Sequence, residues 1–111
     1  MPKKLISGIK PTGHMHLGNY LGAIKNWVEL QDQYSCSFFI ADLHSLTIKI
    51  AKEDLQKQTF DLAIDLLALG INPKKSSLFK QSEVVGHTEL AWIFNCLVPV
   101  PELERMTQFK D

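Results

Sequence analysis

A chain of 111 residues, 45% hydrophobic and 22% charged, has room for one globular domain with an ordinary core and no more. Its formal net charge of zero excludes a global basic field for nucleic acid, so any RNA-binding surface is local or lies outside these residues. No apolar run approaches the roughly 20 residues of a membrane span, and no signal-peptide core follows Lys3-Lys4. The cytoplasm is the expected location.

In chain order, residues 3–9 read as a short strand with an apolar centre, closed by Gly8 and Pro11. A loop rich in Gly, Pro and His spans residues 10–17. Leu21, Ile24, Trp27 and Val28 then recur at helical spacing, which predicts a helix over about 18–33. Residues 37–41 form a short apolar run with polar flanks, the mark of a buried strand. Lys52-Glu53-Asp54 opens a second helix with acids suited to the dipole. Leu55, Leu62, Ala63, Leu66 and Leu69 give it one apolar face, and Gly70 supplies the stop. After a turn at Ile71-Asn72-Pro73, residues 77–79 make a third strand.

A third helix is expected from Gly86, with Leu90, Ile93, Phe94 and Leu97 on one stripe. Residues 98–101 are expected to interrupt it, and 102–109 to be helical again. Trp27, Phe38, Phe39, Phe79, Trp92 and Phe94 fall on or beside these apolar faces and are expected in the core. Cys36 and Cys96 lie in apolar runs without paired spacing, which predicts two buried free thiols. His87 is expected at the surface or as a cap, and Lys74-Lys75 as a solvated turn.

The order βαβαβα predicts an α/β fold: a parallel sheet with flanking helices and right-handed crossovers. Ligands in such sheets bind beyond the carboxyl ends of the strands, so residues 10–19, 42–45 and 81–86 are the segments of interest. In the first, Gly13 and Gly18 allow backbone to approach a flat or anionic ligand, and the helix start offers N–H donors to phosphate. His16 and Asn19, three apart, can face one side and stabilise developing phosphate charge. Gly13 and Gly18 have P-loop spacing, but Asn19-Tyr20 stands where lysine and a hydroxyl are required, and no Gly-x-Gly-x-x-Gly occurs. His14 and His16 have no third ligand at useful spacing, so no metal site is expected. A glycine-bearing turn with incidental histidines stays open on spacing alone. Asp42 reads as structural, capping or hydrogen-bonding the loop after the second strand. Gln81 and Glu83 stand at the cleft edge, where substrate contact and packing on a second subunit both stay open.

Four stretches carry a family resemblance: Ser7-Gly8-Ile9-Lys10-Pro11-Thr12-Gly13 with His16-Leu17-Gly18-Asn19-Tyr20-Leu21-Gly22-Ala23, then Ile40-Ala41-Asp42-Leu43-His44-Ser45-Leu46-Thr47, Lys80-Gln81-Ser82-Glu83-Val84, and the run 102–111. In series they resemble the class I aminoacyl-tRNA synthetases of the bacterial tryptophan branch, where Asn19 replaces the second histidine of many relatives. The resemblance covers residues 1–111 and implies the N-terminal half of a Rossmann-like catalytic domain. It implies a ligase that uses ATP with Mg²⁺ to adenylate tryptophan and passes the tryptophanyl group to tRNA(Trp), as a homodimer.

By matched position, the resemblance places Lys10, Pro11, Thr12, Gly18 and Asn19 beside ATP, and gives His16 and Asn19 the catalytic role. Ile6, Gly8, Ala41 and His44 match positions that line the tryptophan pocket. Lys10 and Thr12 stand where the family usually has glutamine and serine. The lysine-rich second signature does not occur, and the carboxylate that reads the indole N–H lies beyond Asp111 in the family. These departures predict a fragment of a longer enzyme that is inactive alone and has uncovered apolar surface. The alternatives are a small-molecule adenylyltransferase, a tyrosine–tRNA ligase, and a non-catalytic module that kept half the fold.

Overall fold

A computed structural model describes residues 3–110. Met1, Pro2 and Asp111, which the sequence reading includes in its domain, lie outside the described residues. Three strands, β1 (Lys4–Ile9), β2 (Ser35–Ile40) and β3 (Ser77–Lys80), form one parallel sheet in the order β1-β2-β3. Leu5 pairs with Cys36, Ser7 with Phe38 and Ile9 with Ile40, and Phe38 in turn pairs with Leu78. Side chains alternate across a strand, so these residues share one face. Ile6, Gly8, Ser37, Phe39 and Phe79 share the other.

Between β1 and β2 the chain runs through α1 (Leu17–Asn19), a π-helical segment (Tyr20–Ile24) and α2 (Lys25–Leu30) without a break. The sequence reading puts Leu21 on the buried stripe with Ile24, Trp27 and Val28. In the structure Ile24 and Trp27 are buried, but Leu21 is 54% exposed and Tyr20 and Ala23 pack on the core instead. The wide π turn is the reason: Lys25 N–H reaches back to the Tyr20 carbonyl, five residues away, and rotates everything before it.

β2 leads into α3 (Asp42–Ser45), a four-residue helix where the sequence shows only a loop, and then α4 (Lys52–Ala68). On α4, Thr59, Leu62 and Leu66 are buried, while Leu69, its C-cap, is exposed. Gly70, at φ 112°, ends the helix in a conformation that L side chains rarely adopt. The buried Gln31 fastens this end. Its Nε2 donates to the Gly70 carbonyl at 2.9 Å, and its Oε1 accepts from Asn72 N–H at 2.9 Å.

One core results, of Ile24, Trp27, Cys36, Phe38, Ile40, Leu62, Leu66 and Ile71, all on the face under α2 and α4. Trp27 stacks on Phe38 with ring centroids 4.6 Å apart. Burying a side chain such as Phe38 contributes about 1.5–3 kcal/mol. Burial also pushes the Cys36 thiol above its ordinary pKa.

Strands added in one direction through right-handed crossovers put both connecting helices on one face. The other face receives little. After a 3₁₀ turn (Gln81–Glu83), α5 (Val85–Leu97), α6 (Val100–Leu103) and α7 (Thr107–Lys110) follow, and α5 buries no residue. Trp92 is 71% exposed and Phe94 53% exposed, and Cys96 is exposed. The core assignment of these two aromatics and the buried reading of Cys96 are therefore corrected. Periodicity marked an apolar helix, but no described element lies over it. Phe39 and Phe79 are half-buried on the open face.

The break after α5 is also shorter than expected, at residues 98–99. Pro101 sits in the first turn of α6, where its missing N–H costs nothing. The expected helix over 102–109 is instead two short helices with a turn between them. No described helix is long and apolar enough to cross a membrane.

Candidate active site

The carboxyl ends of β1 and β2 open into two turns that hold each other. Pro11 is fully buried, and its carbonyl accepts a hydrogen bond from the fully buried Ser45 hydroxyl of α3 at 3.4 Å. Lys10 Nζ donates to Thr47 Oγ1 at 3.4 Å, and Thr47 Oγ1 donates to the His44 carbonyl at 2.9 Å. Further along, Gly13 takes φ 67° and its N–H donates to Gln58 Oε1 of α4 at 3.2 Å. The first loop thus rests on α3 at one end and on α4 at the other.

His16 stands in extended backbone as the N-cap of α1, and its N–H donates to Asn19 Oδ1 at 3.2 Å. The His16 imidazole lies along Gly18, where an added Cβ would come within 3.0 Å of the ring. Lys10, Thr12, Gly13, His14, Met15 and Asn19 line one shallow hollow. His16 lines a different, wider one of about 310 Å³ with Tyr20 and Asp65. So the structure brings Lys10, Thr12 and Asn19 together, while Pro11, between the first two in the chain, is buried and tied to Ser45. It joins His16 to Asn19 through the backbone, not as two side chains on one hollow, and the single-sided clamp expected from their spacing is corrected to that extent. The cause is the N-cap geometry, which turns the His16 ring back over Gly18. Among the described residues, no three His, Cys, Asp or Glu side chains are placed to hold a metal ion.

Ile6 and Gly8 lie on the open face of the sheet. Gly8 pairs with Phe39, and the Phe39 ring crosses it so closely that a Cβ at residue 8 would stand 2.4 Å from Cζ. Phe39 continues the cover sideways, stacking on Phe79 at 5.8 Å and tilting over His87 at 6.1 Å. His87 is thus half-buried under an aromatic ring, not a surface or capping group, and its Nδ1 is buried without a partner among the described residues. Ala41, buried, follows β2 and donates its N–H to the Ile9 carbonyl at 2.8 Å, and His44 is exposed on α3. Ile6 and Gly8 therefore stand on the sheet face, and Ala41 and His44 just past its end.

Asp42 is hydrogen-bonded as its position suggested. Its Oδ1 accepts from its neighbour Leu43 N–H at 3.0 Å and from Ser82 N–H at 3.0 Å, while Oδ2 accepts from the Ser82 hydroxyl. Asp42 and Ser82 also border a groove of about 450 Å³ between α4 and the ends of β2 and β3.

The sequence reading missed Ser45, Thr47, Gln58 and Ser82 as supports of the site, and Phe39 as the cover of Gly8. Residues near in sequence to a motif left a signal, since Ser45 and Thr47 follow β2 directly. Gln58 left none, because its partner is 45 residues away. Phe39 could have been found from the pairing of two parallel strands, which sets a glycine beside a large ring.

The family description for tRNA synthetases class I (W and Y) matches residues 1–111. The chain is 52% identical over 111 residues to a tryptophan–tRNA ligase of Rickettsia conorii, covering all of this chain and 34% of that protein. With a tryptophan–tRNA ligase of Helicobacter pylori it shares 56% over 109 residues, covering 98% of this chain and 33% of that one. It superposes on a tryptophanyl-tRNA synthetase of Campylobacter jejuni with TM-score 0.90 and 37% identity, over 100% of this chain and 35% of that one. A structure of the Campylobacter jejuni synthetase complexed with ADP and tryptophan gives TM-score 0.86 at 38% identity, over 92% of this chain and 32% of that chain. The chain spans about a third of the length of the curated relatives it matches.

Proposed function

The chain belongs to the class I tRNA synthetases of the tryptophan and tyrosine type, and we propose that it supplies the first nucleotide- and amino-acid-binding segment of a tryptophan–tRNA ligase. In this reading residues 1–111 are the N-terminal part of a Rossmann-like catalytic domain. The ligase joins tryptophan to AMP from ATP and then passes the tryptophanyl group to tRNA(Trp), in the cytoplasm and as a homodimer.

The observation that carries the reading is the first loop. Lys10, Thr12 and Asn19 share one hollow at the strand ends, and the loop that carries them is tied to α3 through the Pro11 carbonyl and Ser45. In the first step a tryptophan carboxylate oxygen bonds to the α-phosphorus as the bond to pyrophosphate breaks. A carboxylate is already ionised at neutral pH, so this step asks for positioning and charge stabilisation rather than a protein base. Lys10, Pro11, Thr12, Gly18 and Asn19 would border ATP, with the Lys10 ammonium facing its charge. His16 and Asn19 would act on the phosphate in the transition state. For ATP to lie on Gly18, the His16 ring would first swing off that backbone. Mg²⁺ would arrive on the phosphates.

Ile6, Gly8, Ala41 and His44 would border tryptophan. An indole ring calls for apolar walls and an acceptor for its N–H, and this segment offers walls in Ile6 and the Phe39 ring that covers Gly8.

The test is amino-acid-dependent exchange of pyrophosphate into ATP by the whole gene product. Exchange with tryptophan and not tyrosine is expected. Exchange with tyrosine alone would move the chain to the tyrosine branch, and exchange with no amino acid would favour a non-catalytic module.

A further inference from the structure

The main-chain ladder between β2 and β3 ends at the pair Ile40 and Lys80. Two residues past that pair, at the start of α3 and in the 3₁₀ turn, stand Asp42 and Ser82. There the Asp42 carboxylate takes over from the backbone: Oδ1 accepts the Ser82 N–H at 3.0 Å and Oδ2 accepts the Ser82 hydroxyl. The same Oδ1 also takes Leu43 N–H at 3.0 Å, which fixes the carboxylate on the first turn of α3. One side chain thus ties the start of α3 to the 3₁₀ turn just beyond the last rung of the sheet. Ligands of parallel α/β sheets bind in the crevice beyond the carboxyl ends of the strands, and a carboxylate that accepts several N–H and O–H donors is held in one orientation.

The elements joined are those that flank the cleft. α3 carries His44 and holds the first loop at Pro11 through Ser45, and Thr47, just after it, accepts from Lys10. The 3₁₀ turn carries Gln81, whose Oε1 is buried without a partner among the described residues. Ser82 itself is exposed, so its bonds to Asp42 serve placement and not core packing.

We propose that Asp42 and Ser82 form a positioning clamp for the ligase site, setting where His44 and Gln81 stand relative to the first loop. The clamp's catalytic role rests on the ligase reading above. Asp42 acts through Ser82 and α3, without touching substrate.

The test uses the whole gene product in tryptophan-dependent pyrophosphate exchange, with kcat and both KM values measured for Ser82→Ala, Ser82→Thr, Asp42→Ala and the double variant Asp42→Ala/Ser82→Ala. Ser82→Ala and Asp42→Ala are each expected to lower kcat/KM for tryptophan roughly fivefold to tenfold, with KM for ATP within about twofold. Ser82→Thr, which keeps the hydroxyl, is expected to stay within about twofold of the parent, and the double variant to be no worse than Asp42→Ala. Hydrogen exchange at the Leu43 amide is expected to quicken in Ser82→Ala, which a side chain without a hold on α3 would not cause. Should Asp42→Ala fail to fold, Ser82→Ala and Ser82→Thr decide the matter alone. An active parent whose Ser82→Ala variant keeps both kcat/KM and Leu43 exchange overturns the clamp and leaves the ligase reading intact. A parent without exchange for any amino acid overturns the reading, and the clamp's catalytic role with it.

Discussion

Helices α4 and α5 invert the usual relation between sequence and burial. α5 is the more apolar of the two, yet it buries no residue, whereas α4 buries Thr59, Leu62 and Leu66. The difference lies in the sheet, not in the helices. Two crossovers in one direction put α2 and α4 over Leu5, Phe38 and Ile40, and leave the face of Ile6, Gly8 and Phe39 mostly open. Apolar spacing reports that a helix has a face to hide. Topology decides whether an element is there to hide it.

The largest effect should come from the covered face. Phe38→Ala removes the ring stacked under Trp27 and should cost about 3–5 kcal/mol, read as a lower urea midpoint, whereas Phe94→Ala should stay within about 0.5 kcal/mol. Equal losses at the two positions would mean that α5 is packed as firmly as the covered face of the sheet. Next is Gly8→Ala, which drives a methyl group into the Phe39 ring and should cost about 1–3 kcal/mol. Combining it with Phe39→Leu should recover part of that loss; no recovery would place the strain elsewhere. Gln31→Leu, which strips partners from the Gly70 carbonyl and Asn72 N–H, should cost about 1–3 kcal/mol.

The smallest effects are those of the two thiols. Cys96 should react with a thiol reagent in the native protein, and Cys36 only on unfolding. Burial raises the Cys36 pKa, so the folded chain keeps a proton that the unfolded chain releases. That contribution is complete below the unfolded thiol pKa and is lost as pH rises through the folded value, so stability should decline on the alkaline side. Replacing Cys36 with alanine should flatten the decline, and an unchanged slope would assign it to other groups.

How far the sequence could be read follows the same division. β1, β2, β3 and α4 were legible because each carries a local signal: an apolar run with turn residues around it, or a full helical stripe ended by Gly70. α3 was not, since four residues hold no period. Leu21 was misplaced because one π turn changes the phase of a helix without changing its composition. Pro101 read as a breaker, although a proline in a first turn is compatible with a helix. At the site, the motif residues Lys10, Thr12 and Asn19 were found together. The supports of the site, Gln58 on Gly13 and Ser82 on Asp42 above all, were hidden by sequence separations of some forty residues and emerge only in the folded chain.

The central claim is that the first loop stabilises charge during adenylate formation, and His16→Ala tests it most directly. Tryptophan-dependent pyrophosphate exchange by the whole gene product should slow by about 10²-fold or more, with much smaller changes in KM for tryptophan and ATP. An unchanged exchange rate in a folded His16→Ala protein would contradict the account and remove this histidine from the catalytic set.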